Sequence, residues 1–150
     1  MSITVILPNE EKIVTSPQEM AAKSGHVFPI AERVPEASGE GFDLLDWYMS
    51  MQQTYANMTH LIVRASDEFQ AVIPRGQLIK ALLQYSIDGN PLIKGGPLRL
   101  YVPDGSSACL NVKSMVSLQF IANPKLGEEA SYGFLHEVSQ IQIIKGKKSL

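Results

Sequence analysis

Short apolar runs separated by proline and glycine dominate the pattern of hydrophobic positions along the chain. Segment 3–7 (ITVIL) is rich in β-branched residues and ends at Pro8, which predicts a strand. Segments 59–66 and 69–74 predict two more strands around the polar corner 66–68, a hairpin turn. Alternation over 97–103 and 112–122, and a last apolar run over 138–146, predict three further strands.

Three stretches predict helices, the first from its capping residues and the other two from apolar residues at helical spacing. The first, 17–25, follows Thr15 or Ser16 as N-cap and ends at Gly25. The second covers 41–58, and the third covers 75–87. We expect a long irregular loop over 25–41 and a turn over 88–91. Strands, a hairpin and helices in this order indicate an α+β fold, with a mixed, largely antiparallel sheet and a few helices.

Composition narrows the classes of protein. A chain of 150 residues suits one domain, 1–150, and its basic end, 146–150, is expected to be a frayed tail. A net charge of -2 disfavours nucleic acid as a partner. No apolar stretch has the length of a membrane span, and the run at 3–7 is too short for a signal peptide. The single cysteine is a free thiol, so we expect a cytoplasmic protein.

Candidate chemistry concentrates in the loop 104–114 (DGSSACLNVKS). Small residues there, Ser106 and Ser107 among them, allow backbone N–H groups to form an anion-binding nest. Lys113 adds a positive charge, and Asn111 and Ser114 add neutral hydrogen-bonding groups. The loop therefore predicts a site for phosphate or carboxylate. The alternative is that small polar residues simply build a loop.

Cys109, in the same loop, has two interpretations. A thiolate beside Lys113 would be a nucleophile or a metal ligand, whereas most free cysteines are buried small hydrophobes. The histidines at 26, 60 and 136 have no metal-ligand spacing, which disfavours zinc. His60 is expected at the surface or at a strand boundary.

Several segments together resemble the oxidoreductase molybdopterin-binding domain family, which has the sulfite oxidase fold. They are "GFDLLDWY", "THLIVRASDEFQAVIP", "ALLQYSIDGNPLIKGGPLRLYVP" and "NVKSMVSLQF", and they cover roughly residues 40–120. The resemblance implies a sulfite oxidase-like fold and a molybdopterin cofactor. It also implies that Arg99 matches the family's strand arginine, and that Lys113 and Ser114 match residues after its phosphate-binding loop.

The sequence departs from this family at the metal ligand. Family enzymes supply a cysteine upstream of the segment that matches 41–47, but residues 1–40 contain none, and Cys109 lies in the opposite half. We therefore expect a module that binds a molybdopterin-type or other small anionic ligand without the standard redox site.

Two alternatives stay open. One is a reduced molybdenum-dependent oxidoreductase in which Cys109 or a partner completes the site. The other is an interaction domain that uses Trp47, Tyr48, Met49 and Met51 to bind a protein partner or a second copy of the chain.

Overall fold

The structure is a computed structural model that describes residues 1–134. These residues form a mixed α+β fold with two α-helices and mainly antiparallel strands, as the pattern predicts. The helices are α1 (Pro17–Ser24) and α2 (Leu44–Met49). The strands are β1 (Ile3–Ile6), β2 (Lys12–Thr15), β3 (Val27–Pro29), β4 (Glu40–Asp43), β5 (His60–Ala65), β6 (Phe69–Pro74), β7 (Leu82–Ile87), β8 (Asn90–Pro91), β9 (Arg99–Tyr101), β10 (Met115–Ile121) and β11 (Ser131–Phe134). The predicted strand 138–146 and the tail 146–150 lie outside the described residues.

One sheet has six strands in the order β11-β6-β5-β10-β1-β2. Its pairs are antiparallel except β1 with β10, which run parallel. The predicted hairpin is confirmed between β5 and β6: Glu68 has a φ of 71°, and Asp67 Oδ1 accepts a hydrogen bond from Phe69 N. The strand β2 was not predicted, although Ile13, Val14 and Thr15 are β-branched residues that favour strands.

The second sheet is built around β7, with β4 on one side and both β8 and β9 on the other. The prediction of a helix over 75–87 is therefore wrong: only a 3-10 turn forms at Arg75–Gln77 before the strand begins. Leu83 packs into the main core and Leu82 into a smaller cluster on the opposite face. A strand buried on both faces has consecutive apolar residues, which resemble a short buried helix.

Local hydrogen bonds explain the extent of the helices. Ser16 Oγ accepts from Glu19 N at 3.2 Å, and Gly25 ends α1 with a φ of 83°, so both predicted boundaries are confirmed. The second helix is much shorter than predicted. The hydroxyl of Ser50 donates to the Trp47 carbonyl at 2.6 Å, and Gln52 has a φ of 63°, which takes the chain out of helical geometry.

The region 25–41 is also more regular than predicted. It contains β3, a 3-10 turn at Ile30–Glu32 and the first residues of β4. The expectation of one irregular loop was wrong here because β3 and the start of β4 are short and contain proline and glycine, which normally mark loops.

The main core draws residues from both sheets and both helices. Trp47 and Tyr48 belong to it and are only 1% and 0% exposed, so the predicted interaction surface is wrong for these two side chains. A smaller cluster lies on the other face of the second sheet and consists of Phe28, Ile30, Leu82, Val34, Ala37 and Tyr101. Within residues 1–134, neither helix has the length and apolar character needed to cross a membrane.

Candidate functional site

Five of the seven residues predicted to bind a ligand line three different depressions, and Ser106 and Ser114 line none of the three. Arg99 lines a cavity of about 410 Å³ on the face of the second sheet that carries the smaller cluster. Ser107 and Asn111 line a neighbouring one of about 370 Å³. Cys109 and Lys113 line a third, of about 250 Å³, that Asn111 also borders. The structure therefore does not unite the predicted residues in a single pocket.

The polar groups of the loop 104–114 bond mostly to the protein itself. Ser106 N donates to Gln77 Oε1 at 2.9 Å, and Cys109 N donates to Ser107 Oγ at 3.1 Å. Asn111 N donates to the Ala108 carbonyl, while Asn111 Oδ1 accepts from Val102 N at 2.8 Å. These hydrogen bonds fold the loop and occupy the N–H groups of Ser106, Cys109 and Asn111, so these three groups are not free to take part in the anion-binding nest that the sequence suggested.

Ser114 forms a backbone corner behind this loop. Its φ is 57°, and its N–H donates to the Gly95 carbonyl at 2.7 Å. Its own carbonyl accepts from Ser66 N at 2.9 Å. Ser114 thus joins the segment before β9 to the hairpin of the six-stranded sheet, which is a structural role.

Cys109 is exposed, so the interpretation as a buried small hydrophobe does not apply. It shares its depression with Lys113, Asp67 and the aromatic residues Phe69 and Phe134. In residues 1–134, no group of three or more histidine, cysteine or acidic side chains is arranged to hold a metal ion. Cys109 is an accessible thiol on a mostly apolar patch.

Arg99 has the least usual environment of the predicted residues. It lies on β9 directly opposite Gln84 on β7, and its guanidinium carbon sits 5.2 Å from the centre of the Tyr101 ring. Its Nε is buried and has no hydrogen-bond partner in the described part of the chain. A buried donor on a charged group costs free energy when it has no acceptor. An acceptor that reached this atom would therefore stabilise the protein.

The other arginines show how different this is. Arg33, Arg64 and Arg75 donate to a carboxylate, a side-chain amide and a backbone carbonyl, at 2.6, 2.8 and 2.9 Å. Each has a structural task that uses its charge or its donors. The Arg99 side chain makes no hydrogen bond to residues 1–134 and lies against the Tyr101 ring, so its terminal Nη groups, which are not buried, are the donors left for a ligand.

The rest of the Arg99 cavity supplies a second cation, an amide and apolar walls. Lys94 lies at the rim, and the lining also includes Glu36, Gln84, Val34, Ala37, Ser38, Ile87 and Leu92. Gln84 is only 3% exposed, and its Nε2 donates to the Ser38 carbonyl at 2.7 Å. Gly39, with a φ of 106°, permits this approach because a Cβ there would overlap the Gln84 amide.

Sequence reasoning missed Lys94 and Gln84 as members of this cavity. Lys94 stands next to the glycines that precede β9, and its proximity to Arg99 in the chain was a signal that could have found it. Gln84 gave no such signal, because the segment around it was assigned to a helix. Only the register of β7 with β9 brings it opposite Arg99.

A larger cavity, of about 560 Å³, lies on another part of the surface beside His60 and Arg75. His60 is the first residue of β5, which confirms the expected strand boundary, but it is 2% exposed and so does not lie at the surface. Its Nε2 donates to the Gly127 carbonyl at 2.7 Å, and its Nδ1 lies 2.7 Å from Thr59 Oγ1. With both ring nitrogens bonded and Arg75 tied to backbone carbonyls, this cavity offers weaker polar recognition than the Arg99 cavity.

Comparison with known proteins adds no relative. No protein-family model matches the chain, and no curated protein matches it either.

Proposed function

We propose that the protein binds a small anionic ligand in the cavity formed by Arg99, Lys94, Gln84 and Tyr101. The observation that carries this proposal is the buried Nε of Arg99, which lacks a partner among residues 1–134 while the other arginines have acceptors. A guanidinium presents parallel N–H donors that match the oxygens of a carboxylate or a phosphate. Such an anion would supply acceptors to the guanidinium, whose Nη groups are not buried and have no hydrogen bond to residues 1–134.

The electrostatics of the cavity favour this occupant. Arg99 and Lys94 bring two positive charges, and Glu36 brings one negative charge, to the same lining. In the described chain, the ion pair found is Arg33 with Asp43, so neither cation of the cavity is neutralised by a carboxylate within 4 Å there. The lining therefore carries a formal charge of +1, which attracts an anion.

The resemblance to the molybdopterin-binding family makes a phosphate-bearing pterin one candidate for this ligand. The Arg99 cavity suits the phosphate of such a molecule. The residues do not fit the family's metal centre, because Cys109 lines a separate depression with Asp67 and Lys113. We therefore propose binding of an anion and derive no redox step.

A calorimetric titration with inorganic phosphate and with pyrophosphate tests the anion site. Arg99→Gln should weaken binding about tenfold or more, because a hydrogen bond to a charged group contributes about 1.5–3 kcal/mol. Lys113→Gln is the matched control: it removes one positive charge from the loop that the sequence favoured. We expect the affinity of Lys113→Gln for both anions to stay within about twofold of that of the unmodified protein.

If Lys113→Gln loses affinity for the anions and Arg99→Gln does not, the anion site lies in the loop 104–114. Absence of binding of either anion to the folded protein would overturn the proposal. Trp47 fluorescence verifies the fold of each variant, since this residue is 1% exposed.

A separate measurement addresses the pterin. The protein is purified from a host that makes molybdopterin, and its metal and its released fluorescent pterin are quantified. Near-stoichiometric pterin that is lost in Arg99→Gln would support a molybdopterin-type ligand. A folded protein without pterin that still binds pyrophosphate would restrict the function to other anions.

A further inference from the structure

Gln84 is a buried polar side chain whose amide oxygen has no hydrogen-bond donor among residues 1–134. Its Nε2 donates to the Ser38 carbonyl at 2.7 Å, which fixes the orientation of the amide. No hydrogen bond from residues 1–134 reaches its Oε1, and this oxygen is not among the buried atoms that lack a partner. Because the side chain lines the Arg99 cavity, Oε1 is the acceptor that Gln84 offers to a ligand.

The position of Gln84 links this acceptor to the cation. Gln84 and Arg99 are directly paired residues on adjacent antiparallel strands, so their side chains leave the sheet on the same face. An anionic oxygen at Arg99 would be repelled by a carbonyl oxygen unless the ligand also presents a donor. The two side chains thus favour a molecule with an anionic group and an N–H group close together.

The charged side chains of the cavity determine whether a neutral or a positively charged donor is favoured. A positively charged amine would approach Arg99 and Lys94, whose two positive charges exceed the single negative charge of Glu36 in the same lining. A neutral amide N–H gives Gln84 a hydrogen bond without that repulsion. We propose that Gln84 determines specificity in the anion site by selecting anions that carry a neutral amide N–H group, an inference that rests on the proposed function.

The test uses pairs of carboxylates that differ only in replacing an amide NH2 by a methyl group. Oxamate is compared with pyruvate, and succinamate with levulinate, to cover two distances between the anion and the donor. Binding is measured by NMR titration of the 15N-labelled protein, with the Arg99 Nε–H and the Gln84 side-chain amide as local reporters. In at least one pair, the amide should bind about tenfold more tightly than its methyl counterpart.

Gln84→Met is the matching variant, because methionine keeps the length of the side chain and removes the acceptor. We expect it to bind both members of a pair equally, at the affinity of the methyl compound. Equal affinities in the unmodified protein, or preference that persists in Gln84→Met, would overturn the role of Gln84. If Gln84→Met does not fold, the comparison of each amide with its methyl counterpart in the unmodified protein decides whether the site selects the amide.

The same data separate this inference from the proposed function. Carboxylates that all bind equally, and that are all weakened by Arg99→Gln, would leave the anion site in place and refute selection by Gln84. If no carboxylate shifts the Arg99 Nε–H signal, both the specificity and carboxylate binding at Arg99 are refuted, and the phosphate titration then decides the anion site.

Discussion

At the scale of the single residue, burial changes the acid–base behaviour of Tyr48. This side chain is 0% exposed, and its hydroxyl donates to Asn57 Oδ1 at 2.5 Å. Burial raises the pKa of Tyr48 to about 12 from its usual 10. The folded state therefore keeps the neutral phenol at a pH where the unfolded chain ionises.

This difference predicts a loss of stability in alkali. The favourable contribution of the neutral phenol is complete below pH 10 and is lost as the pH rises towards 12, because ionisation stabilises the unfolded chain. Tyr48→Phe should remove this pH dependence while lowering stability at pH 7 by about 0.5–1.5 kcal/mol, the contribution of one hydrogen bond. Urea unfolding followed by far-UV circular dichroism at several pH values measures both effects. A variant whose alkaline slope equals that of the unmodified protein would contradict the assignment.

Residue-level prediction worked where a single side chain makes its own local signal. Ser16, Gly25 and the turn at 66–68 were found because capping and turn chemistry act over a few neighbouring residues. Arg99 was found through a resemblance, but its unpartnered Nε follows from the packing around it. Gln84 was missed because its role depends on a partner strand that is distant in the chain.

At the scale of the element, a carboxylate connects β4 to the turn between β7 and β8. Glu40 Oε1 accepts from Ser86 Oγ at 2.5 Å and from Gly89 N at 3.0 Å. The hydrogen bond from Ser86, together with that from Gly89, lowers the pKa of Glu40 below its usual 4.5. The link borders the Arg99 cavity, because Ile87 at the end of β7 lines it.

Acid should therefore weaken this connection. The contribution of Glu40 is complete above pH 4.5 and is lost as the pH falls through the lowered pKa of the folded state. Glu40→Gln should abolish that part of the acid dependence and cost at most about 1 kcal/mol at pH 7, since water screens a carboxylate near the surface. Thermal unfolding between pH 3 and pH 7 measures the acid dependence of the stability of both proteins. Glu10→Gln, at an exposed position, is the control for loss of charge, and an equal effect there would contradict the role of Glu40.

The elements also show the limit of hydrophobic periodicity. It correctly separated the strands β1, β5, β6 and β10 from their turns. It failed at β7, where the smaller cluster covers the face opposite the main core and removes the alternation. It overextended α2, because the apolar residues that follow Met49 continue the helical spacing while Ser50 and Gln52 redirect the backbone.

At the scale of the whole molecule, one aromatic group connects the helix α2 to the six-stranded sheet. Phe120 on β10 is 1% exposed, and its ring centre lies 4.2 Å from that of Tyr48 and 6.0 Å from that of Trp47. The main core continues from this group to Leu83 and Leu100 of the second sheet. The continuity of this core across both sheets leads us to expect that residues 1–134 unfold as one cooperative unit.

Phe120→Ala tests this expectation, because it removes the ring at the junction. It should destabilise the protein by about 3–5 kcal/mol, the usual cost of such a cavity, and shift one transition seen equally by Trp47 fluorescence and far-UV circular dichroism. Phe134→Ala is the matched control, since Phe134 is 42% exposed and lies on β11, the outermost strand of the six-stranded sheet within residues 1–134, and its effect should be much smaller. If the circular dichroism signal keeps a second transition that Phe120→Ala does not move, the sheets unfold separately. The Arg99 cavity, which lies on the second sheet, would then depend on that sheet's own stability and not on the shared core.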